Sequence, residues 1–420
     1  MKKLWSGILV VLLLSVMVAG CGGRQADKRA VITFASAEAG AEQIAIMQKI
    51  IDRFEMEYPG IKVKLDWGTT QQKILTQIAG GNPPDVFMWW SGITDLAERD
   101  VLLPLNRYVD QEGIDMKQYY KCLVDYYTFD GRLYAFPMQL KTNCIIYNKD
   151  IFDKAKVAYP QENWTWDDYC RIAGKLTGDF DNDGIRDSFG AGNVLWFEWL
   201  LWSGCRVLND DGKKCLLDSD PRIRKLLPIL YKFNKEVCPT PAEASTFAGS
   251  GAAGAQGFLS QRVAMQVAPA FMLSALAPVK NFRWDIAPLP QGPLGEKVHT
   301  FDDAGLCIPR AVKHPEEAFK FVAFYCNEEN QKLLGASRNG IPANRKAAEA
   351  TYTASSPEHL YYYLKEADKA DTPLVPRIRN YMEIIKPLSD QMDLFFLGQI
   401  DLDNALSISS ARIRSKLQKH

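Results

Sequence analysis

VITFAS at residues 31–36, IAIMQKIIDRFEMEYPG at 44–60, IKVKLD at 61–66 and VFMW at 86–89 decide the fold class. The first is a short apolar run suited to a buried strand. In the second, Ile44, Met47, Ile51, Phe54 and Tyr58 recur three or four apart, which places them on one helical face, and Pro59-Gly60 stops the helix. In the third, Ile61, Val63 and Leu65 alternate with Lys62, Lys64 and Asp66, the pattern of a half-buried strand. A second helix carrying Ile74, Leu75 and Ile78 ends at Gly80-Gly81. The Asn82-Pro83-Pro84 turn then leads into Val86–Trp89. The β-α-β-α-β order predicts a mostly parallel sheet with helices packed on it. Ligands of such sheets bind at the carboxyl ends of strands, so Glu38 after the first strand and Trp89-Trp90 at the end of the third are the first candidates.

Working outward, Cys144–Tyr147 reads as a strand, and residues 167–176, 222–235, 315–326 and the stretch from Asp401 read as helices. The chain has 420 residues, more than one hydrophobic core usually supports, so two domains are expected. Its 50 Lys+Arg balance 50 Asp+Glu, which argues against a nucleic-acid binder. Lys2 and Lys3 precede an apolar run over about 8–18 that meets Ala19-Gly20-Cys21, the layout of a secretory signal over residues 1–20. Val18-Ala19-Gly20-Cys21 resembles the bacterial lipobox. That resemblance implies lipidation of Cys21, with residues 21–30 as anchor and tether, and an extracytoplasmic protein held on the cell membrane. The remaining cysteines form no Cys-x-x-Cys pair. Cys205 and Cys215 flank an Asn-Asp-Asp-Gly turn, so they fit either a hairpin disulfide or buried free thiols.

The order of several phrases resembles the maltose-binding-like family 1 of extracellular solute-binding proteins of ABC importers. Phe54–Pro59 followed by Ile61-Lys62-Val63, Gly81–Val86, Tyr134–Pro137 with Ile146–Asp150, Trp164–Asp168, Phe258–Met265 and Ile341–Ala343 match in sequence order across the mature chain. Gln261 stands where the family usually has Gly. The resemblance implies an α/β fold of two lobes joined by a hinge, each lobe a mostly parallel sheet with helices on both faces. One lobe is placed at 31–138 plus 297–340 and the other at 139–296 plus 341–420. It also implies a monomer that captures a sugar or oligosaccharide in the cleft and delivers it to permease subunits, with no catalytic role. By the same resemblance Trp196 and Phe271 match positions that stack on sugar, and Glu38 an acidic position that meets sugar hydroxyls. Lys141 stands where the maltose type has an acid, which points away from maltose itself.

From the residues alone, Trp89, Trp90, Trp196 and Trp199 are candidates for stacking on the flat C–H faces of a sugar. Trp202 is favoured as core. Asp302 and Asp303, just before a strand returning to the first lobe, are candidates for hydroxyl contacts, with Arg338 and Asn339 weaker ones. Glu38 equally suits a charge favoured at a helix N-terminus. Asp179, Asp181, Asp183 and Asp187 occupy positions 1, 3, 5 and 9 of a calcium-loop pattern, Gly184 position 6, and Ile185 would lend its backbone carbonyl. Gly190 replaces the bidentate Glu at position 12, and Glu198 is the candidate to complete the shell of a structural Ca2+. The alternatives are a binding protein for a polyamine or glycerol phosphate, and a secreted carbohydrate-active enzyme using paired carboxylates.

Overall fold

The computed structural model describes residues 29–418, apart from 181–183, 248–254 and 354–356. The larger sheet is built from β1 (Ala30–Ser36), β2 (Ile61–Trp67) and β3 (Val86–Trp89), joined by α1 (Ala41–Glu57) and α2 (Gln71–Ala79). β2 and β3 both pair parallel to β1, as the alternating pattern predicts. The sheet continues through β4 (Phe136–Lys141), and the smaller sheet holds β5 (Asn143–Asn148), β6 (Met265–Pro269) and β7 (Trp284–Ala287). β8 (Thr300–Cys307), β9 (Ile341–Pro342) and β10 (Thr372–Pro373) return to the larger sheet.

The pairing departs from the mostly parallel expectation. β8 runs antiparallel to both β3 and β4, β9 antiparallel to β4, and all pairs of the smaller sheet are antiparallel. The cause is the hinge. β4 carries the chain out of the larger lobe at Lys141, and β8 brings it back at Thr300, so neighbours on the two limbs of one excursion run in opposite senses. The lobe boundary is corrected as well. Ile341 and Pro342 pair with Leu140 and Gln139, and Asn344 donates to Gln118, so the larger lobe extends beyond residue 340.

The run Cys144–Tyr147 has no polar alternation because both faces of β5 are covered. Cys144 and Ile146 pack with the larger core, while Ile145 and Tyr147 pack with the smaller one. Only Thr142 separates β4 from β5, and its hydroxyl donates to the Tyr363 carbonyl (3.2 Å). A later connection is tied back to the larger lobe, where Tyr126 Oη donates to the Val375 carbonyl (2.9 Å) and Arg377 to that of Thr128 (2.9 Å). Cys205 and Cys215 are buried free thiols, which closes the alternative left open by their spacing.

Candidate functional site

The carboxyl ends of β1, β3 and β4 and the amino end of β8 meet at one edge of the larger sheet. That edge places Glu38, Ser91, Lys141 and Asp302 together, because Asp302 sits opposite Lys141 in the β8–β4 register. Ser91, in the left-handed region (φ 47°), turns its hydroxyl onto Asp302 Oδ1 (2.8 Å) and its N–H onto Asp303 Oδ1 (3.3 Å). Tyr127 Oη donates to Asp303 Oδ2 (2.8 Å).

A cavity of about 490 Å³ opens across the β4–β5 crossing, lined by Lys141, Asn143, Glu198, Gln266, Phe271 and Asp302 among others. Its size is that of a small-molecule site. A second cavity of similar volume lies beside Tyr126 and Arg345. There Lys121 pairs with Asp125 and Arg345 with Asp368, so several of its charges already answer one another. The crossing cavity differs. Lys141 Nζ lies 5.6 Å from the centre of the Phe271 ring, close enough for cation–π attraction. Asn143, 5% exposed, donates Nδ2 to Glu198 Oε2 (3.3 Å) and leaves Oδ1 without a hydrogen-bond partner.

The electrostatics follow from burial. Desolvation pushes the Glu198 carboxyl up to about 7, and the charge of Asp302 adds to the shift. Burial, then Asp302, raises Asp303, while Tyr127, Lys141 and the Ser91 N–H act in the other direction. Glu38 is raised by burial against a hydrogen bond with Asn339 and the charge of Lys141. Lys141 is therefore the cation around which Glu38 and Asp303 are arranged. Neither acid is set against a second cation by these interactions.

Two predicted stacking residues are not in this cavity. Trp199 is 2% exposed, its ring 4.0 Å from that of Trp166 and its Nε1 directed to the Leu226 carbonyl (3.4 Å). Trp89 is 6% exposed and lies edge-on to Phe87 (6.0 Å) in the larger core. Both are core residues, because the strand and helix that carry them turn those positions inward. Trp90 and Trp196 are half-buried at core margins, outside the cavity lining. Trp202 bridges the lobes through Nε1 to Thr300 Oγ1 (3.1 Å). Phe271, Lys141 and Asp302 are brought together, Glu38 is coupled to Lys141, and Asp303 is buried one residue from the cavity wall. The sequence reading missed Asn143 and Gln266, which carry no motif and owe their place to the crossing strand and its neighbour.

The acidic loop is separate from the cavity. Asp181 and Asp183 lie outside the described residues. Asp179 Oδ2 accepts from the Gly184 N–H (2.8 Å) and Asp187 Oδ2 from that of Phe180 (2.6 Å). Glu198 does not complete this loop, since it lines the crossing cavity with Asn143 and Asp302.

Two α/β lobes, joined by short crossings with a largely apolar cavity studded with charged and amide groups between them, define a solute-binding protein of the hinged two-lobe class. The chain belongs to the bacterial extracellular solute-binding proteins, whose family model matches residues 39–332. It is 24% identical to a maltooligosaccharide ABC transporter solute-binding lipoprotein of Streptococcus pneumoniae strain R6, over 97% of this chain and 96% of the relative. It is likewise 24% identical to an arabinooligosaccharide-binding protein of Bacillus subtilis, over 79% of each. Its fold is that of an ABC substrate-binding protein of Listeria monocytogenes solved in complex with cycloalternan. The TM-score is 0.81 at 24% identity, covering 93% of this chain and 99% of the other. Among the described residues no helix is long and apolar enough to cross a membrane.

Proposed function

We propose that this protein is the extracytoplasmic receptor of an ABC importer, closing its lobes on a sugar or oligosaccharide and presenting it to the permease. The observation that carries this reading is the crossing cavity itself. Two aromatic rings, Phe247 and Phe271, stand beside a set of hydroxyl-binding groups from both sides of the hinge: Lys141 and Asp302 from one, Asn143, Glu198 and Gln266 from the other. A ligand touching both sets favours the closed state by its difference in affinity for the two states. A micromolar ligand brings about 8 kcal/mol to that balance. The relatives named for maltooligosaccharide and arabinooligosaccharide support a carbohydrate.

A thermal-shift screen over neutral oligosaccharides tests the reading. At least one should raise the melting temperature and reduce the radius of gyration in scattering. Phe271→Ala should weaken that ligand by about tenfold or more, with little change in the melting point of the empty protein, because the ring is half-buried in the cavity wall. A panel with no stabilising sugar would overturn the assignment. Chromatography of the bound sugar after long incubation should show it intact, since the protein acts as a receptor and not as a glycosidase.

Two further elements belong to the proposal. Lipidation at Cys21, which lies outside the described residues, would hold the receptor at the membrane. Cys21→Ser should shift it from the membrane fraction to the medium. The loop 179–187 would hold a structural Ca2+, supported by the spacing of its acids and by the closure of its base, where Gly178 and Ser188 exchange backbone hydrogen bonds. Calcium should raise the melting temperature by several degrees, and Asp181→Asn should remove most of that rise. An identical melting curve with calcium and with chelator would leave the loop a plain Asp-rich turn.

A further inference from the structure

We infer that the Glu198–Asn143–Asp302 corner of the cavity is built for a ligand carrying a protonated amine, so that the receptor prefers an amino-substituted saccharide over its neutral counterpart. The inference rests on the carbohydrate-receptor reading above and narrows the substrate class. Three observations lead to it. First, the corner offers acceptors. Glu198 and Asp302 both line it, and Asn143 spends its amide N–H on Glu198, which leaves a 95%-buried side chain with an unanswered Oδ1 at the wall. A buried acceptor without a donor costs stability until something supplies one. Secondly, among the described residues no Lys, Arg or His forms an ion pair with Glu198, and the charge that acts on it is that of Asp302. Lys141 lines the same cavity, but its charge falls on Glu38 and Asp303, and its Nζ rests over Phe271. Thirdly, the groups facing Glu198 are a neutral amide from β5 and a second carboxylate from β8, and among the described residues Lys141, the cation of the same cavity, forms no ion pair with either acid.

An ammonium group answers all three. It has only donors to give, so one can go to Asn143 Oδ1 and others to the two carboxylates, and its charge relieves the repulsion between them. A hydroxyl can donate a single proton and brings no charge. Glu198 supplies the pH signature. In the empty site its carboxyl is held up to about 7 by burial and by Asp302. Below that range it is neutral and offers the ammonium no charge; above it, it does. Affinity for a ligand whose amine stays protonated throughout should therefore fall as pH drops through about 7, while the preference over a neutral analogue shrinks with it.

The test is calorimetric titration of the full chain with matched pairs. Disaccharides with a primary amine at C6, whose ammonium persists at both pH values, are set against their hydroxyl counterparts, 6-amino-6-deoxymaltose against maltose and 6-amino-6-deoxycellobiose against cellobiose, each at about pH 5.5 and about pH 7.5. At the higher pH the amine member of at least one pair should bind on the order of tenfold tighter, with the ratio falling toward one at the lower pH. Glu198→Gln should collapse the ratio at both pH values, and its thermal melt without ligand shows that the variant is folded. Neutral sugars that bind as tightly as their amine partners would overturn this inference while leaving the receptor reading standing. Spermidine binding in the absence of any sugar binding would overturn the carbohydrate reading, and with it the saccharide class inferred here.

Discussion

Gly190→Ala is expected to prevent the smaller lobe from folding. A Cβ built at Gly190 falls 1.9 Å from the carbonyl oxygen of Ala173, 2.4 Å from its carbonyl carbon and 2.5 Å from its Cα. The obstacle is the backbone of the helix Trp166–Lys175, α3, which cannot rotate away as a side chain can. Ala173 is fully buried, and α3 packs on the helix Pro221–Val237 through Tyr169 and Phe233, whose rings stand 5.1 Å apart. Moving α3 would break that packing. The close approach is held by a relay of hydrogen bonds: Gly190 N–H donates to Thr177 Oγ1 (2.8 Å), whose hydroxyl donates to the Ala173 carbonyl (2.9 Å). Overpacking commonly costs about 1–3 kcal/mol, and a clash with buried main chain belongs above that range. Circular dichroism and chemical denaturation should show a variant that is insoluble or has lost the smaller lobe's transition. Gly174→Ala, in the same helix and with nothing within 4 Å of its new Cβ, should be neutral or stabilising by about 0.5–1 kcal/mol. A Gly190→Ala protein melting within a degree or two of the parent would refute the packing described here.

Gly190 also shows where the sequence was legible and where it was not. Its departure from the calcium-loop pattern at position 12 was visible in the sequence. Its reason, a helix carbonyl in the space a side chain would need, was not. The first three strands and their two helices follow from local patterns: apolar runs for the covered strands β1 and β3, a period of two for the half-buried β2, and a period of three to four for the helices. The antiparallel limbs β4 and β8 depend on where the chain crosses between lobes, a relation between residues about 160 positions apart that no local period records. The site divides in the same way. Lys141, Phe271 and Asp302 were found through resemblance or strand ends, and all three line the cavity. Glu198 has the charge to complete a calcium shell, yet the fold gives it a different neighbour. Its helical position turns it toward Asn143, whose own place is set by the crossing. The tryptophans misled because an indole is equally at home against a sugar and inside a core. Which one it meets is decided by the direction of its Cα–Cβ bond in the folded lobe, not by its identity.

Trp199→Ala puts that distinction to a quantitative test. The indole packs at the margin of an aromatic cluster in the smaller lobe, whose central ring is Trp166. Its ring lies 4.0 Å from that of Trp166, which in turn lies 4.7 Å from Phe233 and 5.4 Å from Tyr169. Truncation removes the Trp166 contact, empties a volume that α3 and the helix Pro221–Val237 cannot close without shifting, and leaves the Leu226 carbonyl without its indole donor. Large-to-small changes of a buried Trp cost about 3–5 kcal/mol, a large fraction of the stability of a domain. The expected result is a marked fall in the unfolding midpoint of the empty protein in urea. Trp199→Phe should be milder, because it keeps most of the ring volume. Phe271→Ala should behave in the opposite way, losing ligand affinity while its empty-state midpoint stays near the parent's. If Trp199→Ala instead kept its midpoint and lost binding, the indole would belong to the site, and the helix Trp196–Trp202 would have to be turned so that Trp199, not Glu198, faces the cavity. The paired variants thus measure the rotation of one helix, and on that rotation depends which acid the bound ligand meets.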